Sequence, residues 1–272
     1  MASGKAGDYS RKLTRYARNY VFLPRYLPHE SLSLVTSDGV RLAAARLEGP
    51  SDAFAVVVLV HGLVHSSRTP GIYRFAHLLA RSTHVLVPEL RGHGRSEGVC
   101  TLGVNEPLDV AAALAAAKER WPGLPVVTMG TSLGGAAVLL HAGAYGGVAG
   151  VVAVSAPAWW AADETASTRR VQRAADTPAG RLVMARLLRT RMAVQCDKVP
   201  DARDLVAKIA PAFLLVVHEA DDHYFGREHA ETLYQWAEEP KALWLEEGTG
   251  HGTDLLTPSL AGRLVAELRQ RV

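Results

Sequence analysis

Two hydrophobic rhythms divide the chain. Leu32 and Leu34, then Val40, Leu42 and Ala44, recur at every second position on either side of Ser37-Asp38-Gly39. That alternation predicts two half-buried strands joined by a tight turn, an antiparallel hairpin. Beyond the hairpin the alternation gives way to continuous apolar runs of strand length at 53–60, 84–88, 125–129, 148–155, 211–218 and 242–245. Runs of this kind are expected for parallel strands buried on both faces. Helical stretches fall between them at 70–81, 108–121 and 133–143, with Pro107 placed where a first turn tolerates proline. A last amphipathic helix over 256–272 has Leu260, Leu264, Val265 and Leu268 on one face. Strands alternating with helices predict an α/β fold.

The rhythm breaks twice. Over 161–208 no strand-like run occurs; arginines are frequent, and helical patches form around Leu182, Met184, Leu187 and Leu188. A long strand-free interval inside a regular alternation calls for a functional explanation. At the N-terminus, Tyr9, Leu13, Tyr16 and Tyr20 recur at helical spacing among Lys5, Arg11, Lys12, Arg15 and Arg18. A basic amphipathic helix can lie on an anionic membrane surface. The reading preferred here packs the tyrosines on the domain and leaves the charges in water. The expected organisation is an N-terminal helical extension, 1–30, a core formed by 31–158 and 209–272, and a helical insertion over 159–208.

Composition narrows the function classes. At 272 residues, 48% of them apolar, the chain is long enough for one large core plus an insertion. The formal net charge of +3 comes without Lys/Arg runs in the central region, so no nucleic-acid partner is expected. Cys100 and Cys196 stand apart and imply neither a disulfide framework nor a zinc site, which suits a reducing, cytoplasmic setting. No stretch is both long and charge-free enough to span a bilayer, so no transmembrane segment is expected.

The candidate chemistry centres on 125–141. Val126, Val127, Thr128 and Met129 meet Gly130, Thr131, Ser132, Leu133 and Gly134, and an Ala/Leu-rich helical stretch follows at once. The segment therefore reads as strand, tight turn and helix with a serine at the apex. Glycines two before and two after the serine let strand and helix approach closely. The helix start aims free N–H groups at the point where an acyl oxyanion would develop. Asp222 follows the run ending at His218, and His251 follows the run ending at Leu245. Nucleophile, acid, histidine, each after a strand, is the order expected of a serine hydrolase on an open α/β sheet.

With these residues in view, the chain resembles the α/β-hydrolase family. The resemblance rests on His61-Gly62 after a hydrophobic strand, on 89–98 (Glu-Leu-Arg-Gly-His-Gly-Arg-Ser-Glu-Gly), on the elbow at Ser132, and on 248–252 (Gly-Thr-Gly-His-Gly). It covers about 31–272, and the Ser-Glu-Gly ending is similar to the serine aminopeptidase and monoacylglycerol lipase subgroup. The family implies an α/β-hydrolase fold: a mostly parallel eight-stranded sheet, helices on both faces, and a small helical cap inserted after strand 6. It implies a triad of Ser132, Asp222 and His251, with Asp221 as the alternative acid, because Glu219 replaces the glycine of the family's His-Gly-x-x-Asp pattern. Backbone N–H groups of Leu63 and Leu133 would form the oxyanion hole. His61, His65, Arg91 and His93 are read as structural. Trp159, Trp160 and Met184 are the candidates for lining the acyl pocket. The implied activity is hydrolysis of a carboxylic ester or thioester of a small-molecule acyl substrate, with no metal or organic cofactor. Thioesterase, acyltransferase or aminopeptidase chemistry would use the same triad, and a non-catalytic ligand-binding homologue would keep it unused.

Overall fold

The computed structural model describes residue 14 and residues 17–21, 28–161, 164–195, 198–248 and 250–272. Tyr9, Leu13, Tyr16, Asp163, Cys196 and Thr249 therefore lie outside the described residues. Eight strands form one sheet: β1 (Glu30–Val35), β2 (Arg41–Leu47), β3 (Val56–Val60), β4 (His84–Pro88), β5 (Val126–Thr131), β6 (Gly150–Val154), β7 (Phe213–Glu219) and β8 (Lys241–Glu246). Their spatial order is β1-β2-β4-β3-β5-β6-β7-β8. The β1–β2 and β2–β4 pairings are antiparallel and all others parallel. The apolar rhythm implies the α/β class, and this is the α/β-hydrolase arrangement that the resemblance implies.

Seven α-helices connect or flank the strands among the described residues: α1 (Pro70–Leu79), α2 (Glu106–Arg120), α3 (Leu133–Tyr145), α4 (Ala166–Asp176), α5 (Pro178–Leu187), α6 (Arg227–Trp236) and α7 (Pro258–Arg271). Alternate residues of each central strand enter two separate cores. Val56, Val58 and Val60 pack with α2, α3 and α6 through Val110, Leu114, Ala137 and Leu233. Val57 and Leu59 pack with α1 and α7 through Ile72, Phe75, Leu264 and Leu268. Strands β3, β5, β6 and β7 are buried along their whole length, which is why they read as unbroken apolar runs.

Boundaries shift where backbone pairing and burial part company. The apolar run from Ala53 begins before β3, because Ala53 N–H closes a turn on Pro50 O and pairing starts only at Val56. The last helix starts at Pro258 rather than at 256, capped by Thr257, whose Oγ1 accepts from Leu260 N at 3.1 Å. Near the N-terminus, Ala17–Val21 makes a turn of π-helix against α1. Asn19 Nδ2 donates to Asp254 Oδ1 at 2.9 Å, and the Tyr20 ring lies 5.5 Å from that of His65.

The loop of residues 89–98 is built on buried charge. Arg91 donates to both Asp109 and Asp38, and Asp109 also accepts from Arg91 N. Glu89 accepts from Ser67 Oγ, Arg95 N and the Arg95 guanidinium. Beneath the loop, the His61 and His93 rings meet edge to face at 5.1 Å with no solvent exposure. His61 Nε2 accepts from Leu90 N at 3.0 Å, so its proton is on Nδ1, which donates to Gly62 O at 2.8 Å. His93 likewise donates from Nδ1, to Arg91 O at 2.9 Å. Both rings are neutral, although the bonds to the carbonyls favour the charged form. Burial, the largest cause, pushes each down from the usual 6.5 to about 3.

A neutral buried histidine contributes its full stability above pH 6.5, where the unfolded chain is also neutral. The contribution is lost as the pH falls from 6.5 toward 3, because the unfolded state takes up a proton that the folded state refuses. Urea unfolding at pH 5 and pH 7, on wild type and on His93→Gln, should therefore show a loss on acidification that is larger in wild type by about 2 kcal/mol. An equal loss in the two proteins would overturn this account of the buried histidine.

Candidate active site

The sharpest constraint in the fold is at the end of β5. Ser132 has φ 53° and ψ −117°, a left-handed conformation rare for a residue with a side chain. It is held on both sides, with Ser132 N donating to Val154 O at 2.8 Å and Ala136 N to Ser132 O at 2.9 Å. The turn closes only because its neighbours lack side chains. A Cβ on Gly130 would lie 2.1 Å from Gly134 O, and one on Gly134 would lie 2.5 Å from both Val60 O and His61 O.

Two further strand ends converge on this serine. His251 lies beyond β8, and its Nε2 is 2.9 Å from Ser132 Oγ. Its Nδ1 is 2.6 Å from Asp222 Oδ2. The carboxylate can only accept, so Nδ1 carries the proton and Nε2 is free to accept from the serine hydroxyl. Asp222 Oδ1 accepts from Tyr224 N at 2.8 Å and Phe225 N at 3.3 Å. Burial raises its pKa, but the hydrogen bond and charge of His251 and the Tyr224 N–H outweigh it, so Asp222 lies below the ordinary carboxylate range. Asp221 is exposed, whereas Asp222 is buried. His218 donates from Nε2 to Phe225 O at 3.0 Å and so holds the turn that carries Asp222.

The loop after β3 runs directly beside the serine, since a Cβ on Gly62 would meet Ser132 Cβ at 3.3 Å and Thr131 O at 3.2 Å. Leu63 follows in that loop, and Leu133 is the first residue of α3, whose N–H has no partner within the helix. His65 is tied to the histidine loop by a 3.3 Å contact between its Nδ1 and Thr253 Oγ1. Gly252 N donates to Ser155 Oγ at 3.0 Å.

Between β6 and β7 the chain leaves the sheet as α4 and α5. Thr165 caps α4 in a reciprocal box with Thr168, and Thr177 ends α4 and caps α5 by accepting from Gly180 N. Of the apolar patches expected here, Met184 alone turns inward, whereas Leu182, Val183, Leu187 and Leu188 are exposed. The tail of the insertion is joined to the 89–100 loop main chain to main chain. Gly94 N donates to Arg189 O, Arg191 N to Gly92 O and Cys100 N to Arg191 O, and isolated bridges pair His93 with Thr190 and Cys100 with Met192.

The three pocket candidates have separate surroundings. The Trp160 ring is 6.0 Å from Phe225, whose ring is 5.7 Å from His251. Trp159 stacks on His229 at 3.8 Å, and the Arg203 guanidinium lies over the Trp159 ring at 5.3 Å. Met184 is buried in the larger core. Sequence reasoning missed Tyr224, whose ring lies 4.4 Å from that of His251; its only signal was its place two residues after the acid.

Among the described residues, Glu164, Glu228 and His229 are the one group with ligand atoms close enough, within 4.8 Å, to share a metal. His229 Nδ1 accepts from Ala158 N at 3.0 Å, so the proton is on Nε2 and is donated to Glu164 Oε1 at 2.8 Å. With both nitrogens committed, the group is a histidine–carboxylate pair rather than a metal site.

A serine on a strained strand-to-helix turn, reached by a histidine and an aspartate from later strand ends of an eight-stranded sheet, defines the α/β-hydrolase class. The chain belongs to the family described as "Serine aminopeptidase, S33", whose profile matches residues 51–210. It is 32% identical to the human monoglyceride lipase over 154 residues, 54% of this chain and 50% of that protein. To the uncharacterized protein YfhR of Escherichia coli O157:H7 it is 26% identical over 239 residues, 85% of this chain and 76% of that one. The fold is similar to that of the Pyrococcus furiosus esterase Pf2001, with a TM-score of 0.72 at 18% identity, covering 92% of this chain and 97% of that one.

The elbow packing has a direct test. Gly134→Ala should lower the unfolding free energy by about 1–3 kcal/mol, since α3 must move off the end of β3 to admit the methyl group. Wild-type stability for this variant in urea would show the contact to be slack.

Proposed function

We propose that this chain is a serine hydrolase that cleaves a carboxylic ester or thioester through Ser132, His251 and Asp222, by way of an acyl-enzyme. The observation that carries the reading is the continuous hydrogen-bonded line from Ser132 Oγ to His251 Nε2 at 2.9 Å and from His251 Nδ1 to Asp222 Oδ2 at 2.6 Å. His251 takes the serine proton as Oγ attacks the acyl carbon, and Asp222 holds the tautomer and stabilises the imidazolium. The N–H groups of Leu133 and Leu63 receive the oxyanion, the first at a helix N-terminus and the second in the loop against the serine. Protonated His251 then gives its proton to the leaving alcohol or thiol. Water repeats the steps and releases the acid.

The helical insertion over 159–208 acts in this reading as a cap above the nucleophile. Trp160 is its contribution nearest the histidine, through Phe225, whereas Trp159 and Met184 support the cap from beneath. The name of the human relative favours an acyl-glycerol-like ester over a peptide.

Turnover of p-nitrophenyl esters of increasing acyl length, with fluorophosphonate labelling alongside, tests the assignment. Wild type should cleave and label, and Ser132→Ala should do neither, its kcat falling by about 10⁶-fold. Asp222→Asn should lower kcat by about 10⁴-fold through the wrong histidine tautomer, and Asp221→Asn should leave it unchanged. The reverse ranking of the two aspartates would overturn the acid assignment. A wild type that neither labels nor cleaves would overturn the enzyme.

A further inference from the structure

We infer that Glu219 is a positioning residue for this reaction, its carboxylate clamping the loop that delivers His251 to Ser132. The inference rests on the triad proposed above. Glu219 is the last residue of β7 and is 3% exposed. Its Oε1 accepts from Gly248 N at 2.8 Å and its Oε2 from Gly250 N at 3.0 Å. Each carboxylate oxygen thus holds a different amide of the segment leading into His251.

That segment needs holding. Gly248, Gly250 and Gly252 have φ of +67°, +103° and +55°. Glycine in this region resists little, so the backbone by itself would not keep the imidazole at one distance from the serine. Downstream, Gly252 N is tied to Ser155 Oγ, and upstream the Glu219 carboxylate is the matching anchor. The two ties bracket His251. Hydrogen bonds to an ionised acceptor are about twice as strong as neutral ones, which suits a carboxylate facing two N–H groups.

Glu219 also governs the other half of the Asp222–His251 contact. Its carbonyl accepts from Asp222 N at 3.3 Å, and the next residue, Ala220, donates from N to Glu246 O at 2.9 Å. Its backbone therefore starts the turn that carries the acid, while its side chain fixes the loop that carries the base. A purely architectural role is poorly motivated, because the main-chain ladder already pairs Glu219 with Glu246 at the end of β7 and β8. The carboxylate adds nothing to that pairing, and its bonds to Gly248 N and Gly250 N reach the loop beyond it.

The test uses the full chain with p-nitrophenyl butyrate and a fluorophosphonate. Glu219→Gln keeps shape and buried volume but turns an NH₂ toward one of the two amides. It should retain the wild-type circular dichroism while acylation and labelling slow by about 10²-fold, as expected for a base displaced by about 1 Å, with KM little changed. Glu219→Asp keeps the charge but reaches only one amide, and should fall between the two. The acidic limb of the kcat/KM profile, which reports the base, should move in Glu219→Gln. A folded Glu219→Gln that acylates at the wild-type rate with an unmoved profile would overturn the inference. If neither variant folds, amide exchange on wild type decides. Gly248 and Gly250 should be protected as strongly as the β7 ladder, and exchange at free-loop rates would overturn the clamp. A wild type that does not label at Ser132 is a separate outcome: it removes the reaction, and the positioning role with it.

Discussion

The contact on which the rest depends is the crossing of β5 and α3 at Gly130 and Gly134. Carbonyl oxygens and backbone atoms there approach more closely than any Cβ permits. The crossing forces Ser132 into its left-handed conformation, at a cost of about 1–3 kcal/mol. Fully buried strands on both sides hold the turn against that cost. From this one constraint follow the contact of Oγ with His251 Nε2, the place of Leu133 in the first turn of α3 and the proximity of the 61–65 loop. The loops after β7 and β8 need only converge on a point already fixed.

Convergence relies on a different physics from the sheet. The strands are held by apolar burial and ladder hydrogen bonds, but the turns that bear Asp222 and His251 are held by polar groups donated across loops. Tyr224 N and Phe225 N act on Asp222, His218 on Phe225 O, Ser155 on Gly252, and Glu219 on Gly248 and Gly250. The Tyr224 and Phe225 rings then pack beside the imidazole. Apolar walls of this kind exclude water and strengthen the electrostatics of a hydrogen-bonded line.

The same division explains what could be read from the amino-acid sequence. Strands buried on both faces announce themselves as apolar runs, so the strands themselves and the strand-free interval between β6 and β7 were legible. The elbow was legible because its glycines and serine form one local pattern. Strand-end spacing favoured Asp222 over Asp221, and one residue of register in the turn sets Asp222 against His251 and leaves Asp221 exposed. Glu219 showed only as a departure from glycine, because its partners lie 29 and 31 residues further on and are backbone amides that carry no sequence signature. The outward face of α5 was equally hidden. Periodicity marks an apolar stripe but does not say whether a neighbouring element covers it, and of that stripe only Met184 is covered.

The seam between the insertion and the 89–100 loop runs through main-chain groups: Arg189 O, Arg191 N and O, Gly92 O, Gly94 N and Cys100 N. Peptide groups are the same whatever side chains they bear. The side chains of α4 and α5 can therefore drift, exchange polarity or acquire new shapes through mutation while the segment stays moored in one place. Such a seam separates heritable variation in what the insertion presents from the registry that keeps it against the 89–100 loop. For laboratory evolution, this makes α4 and α5 the ground for randomised libraries and 89–100 the part to leave untouched.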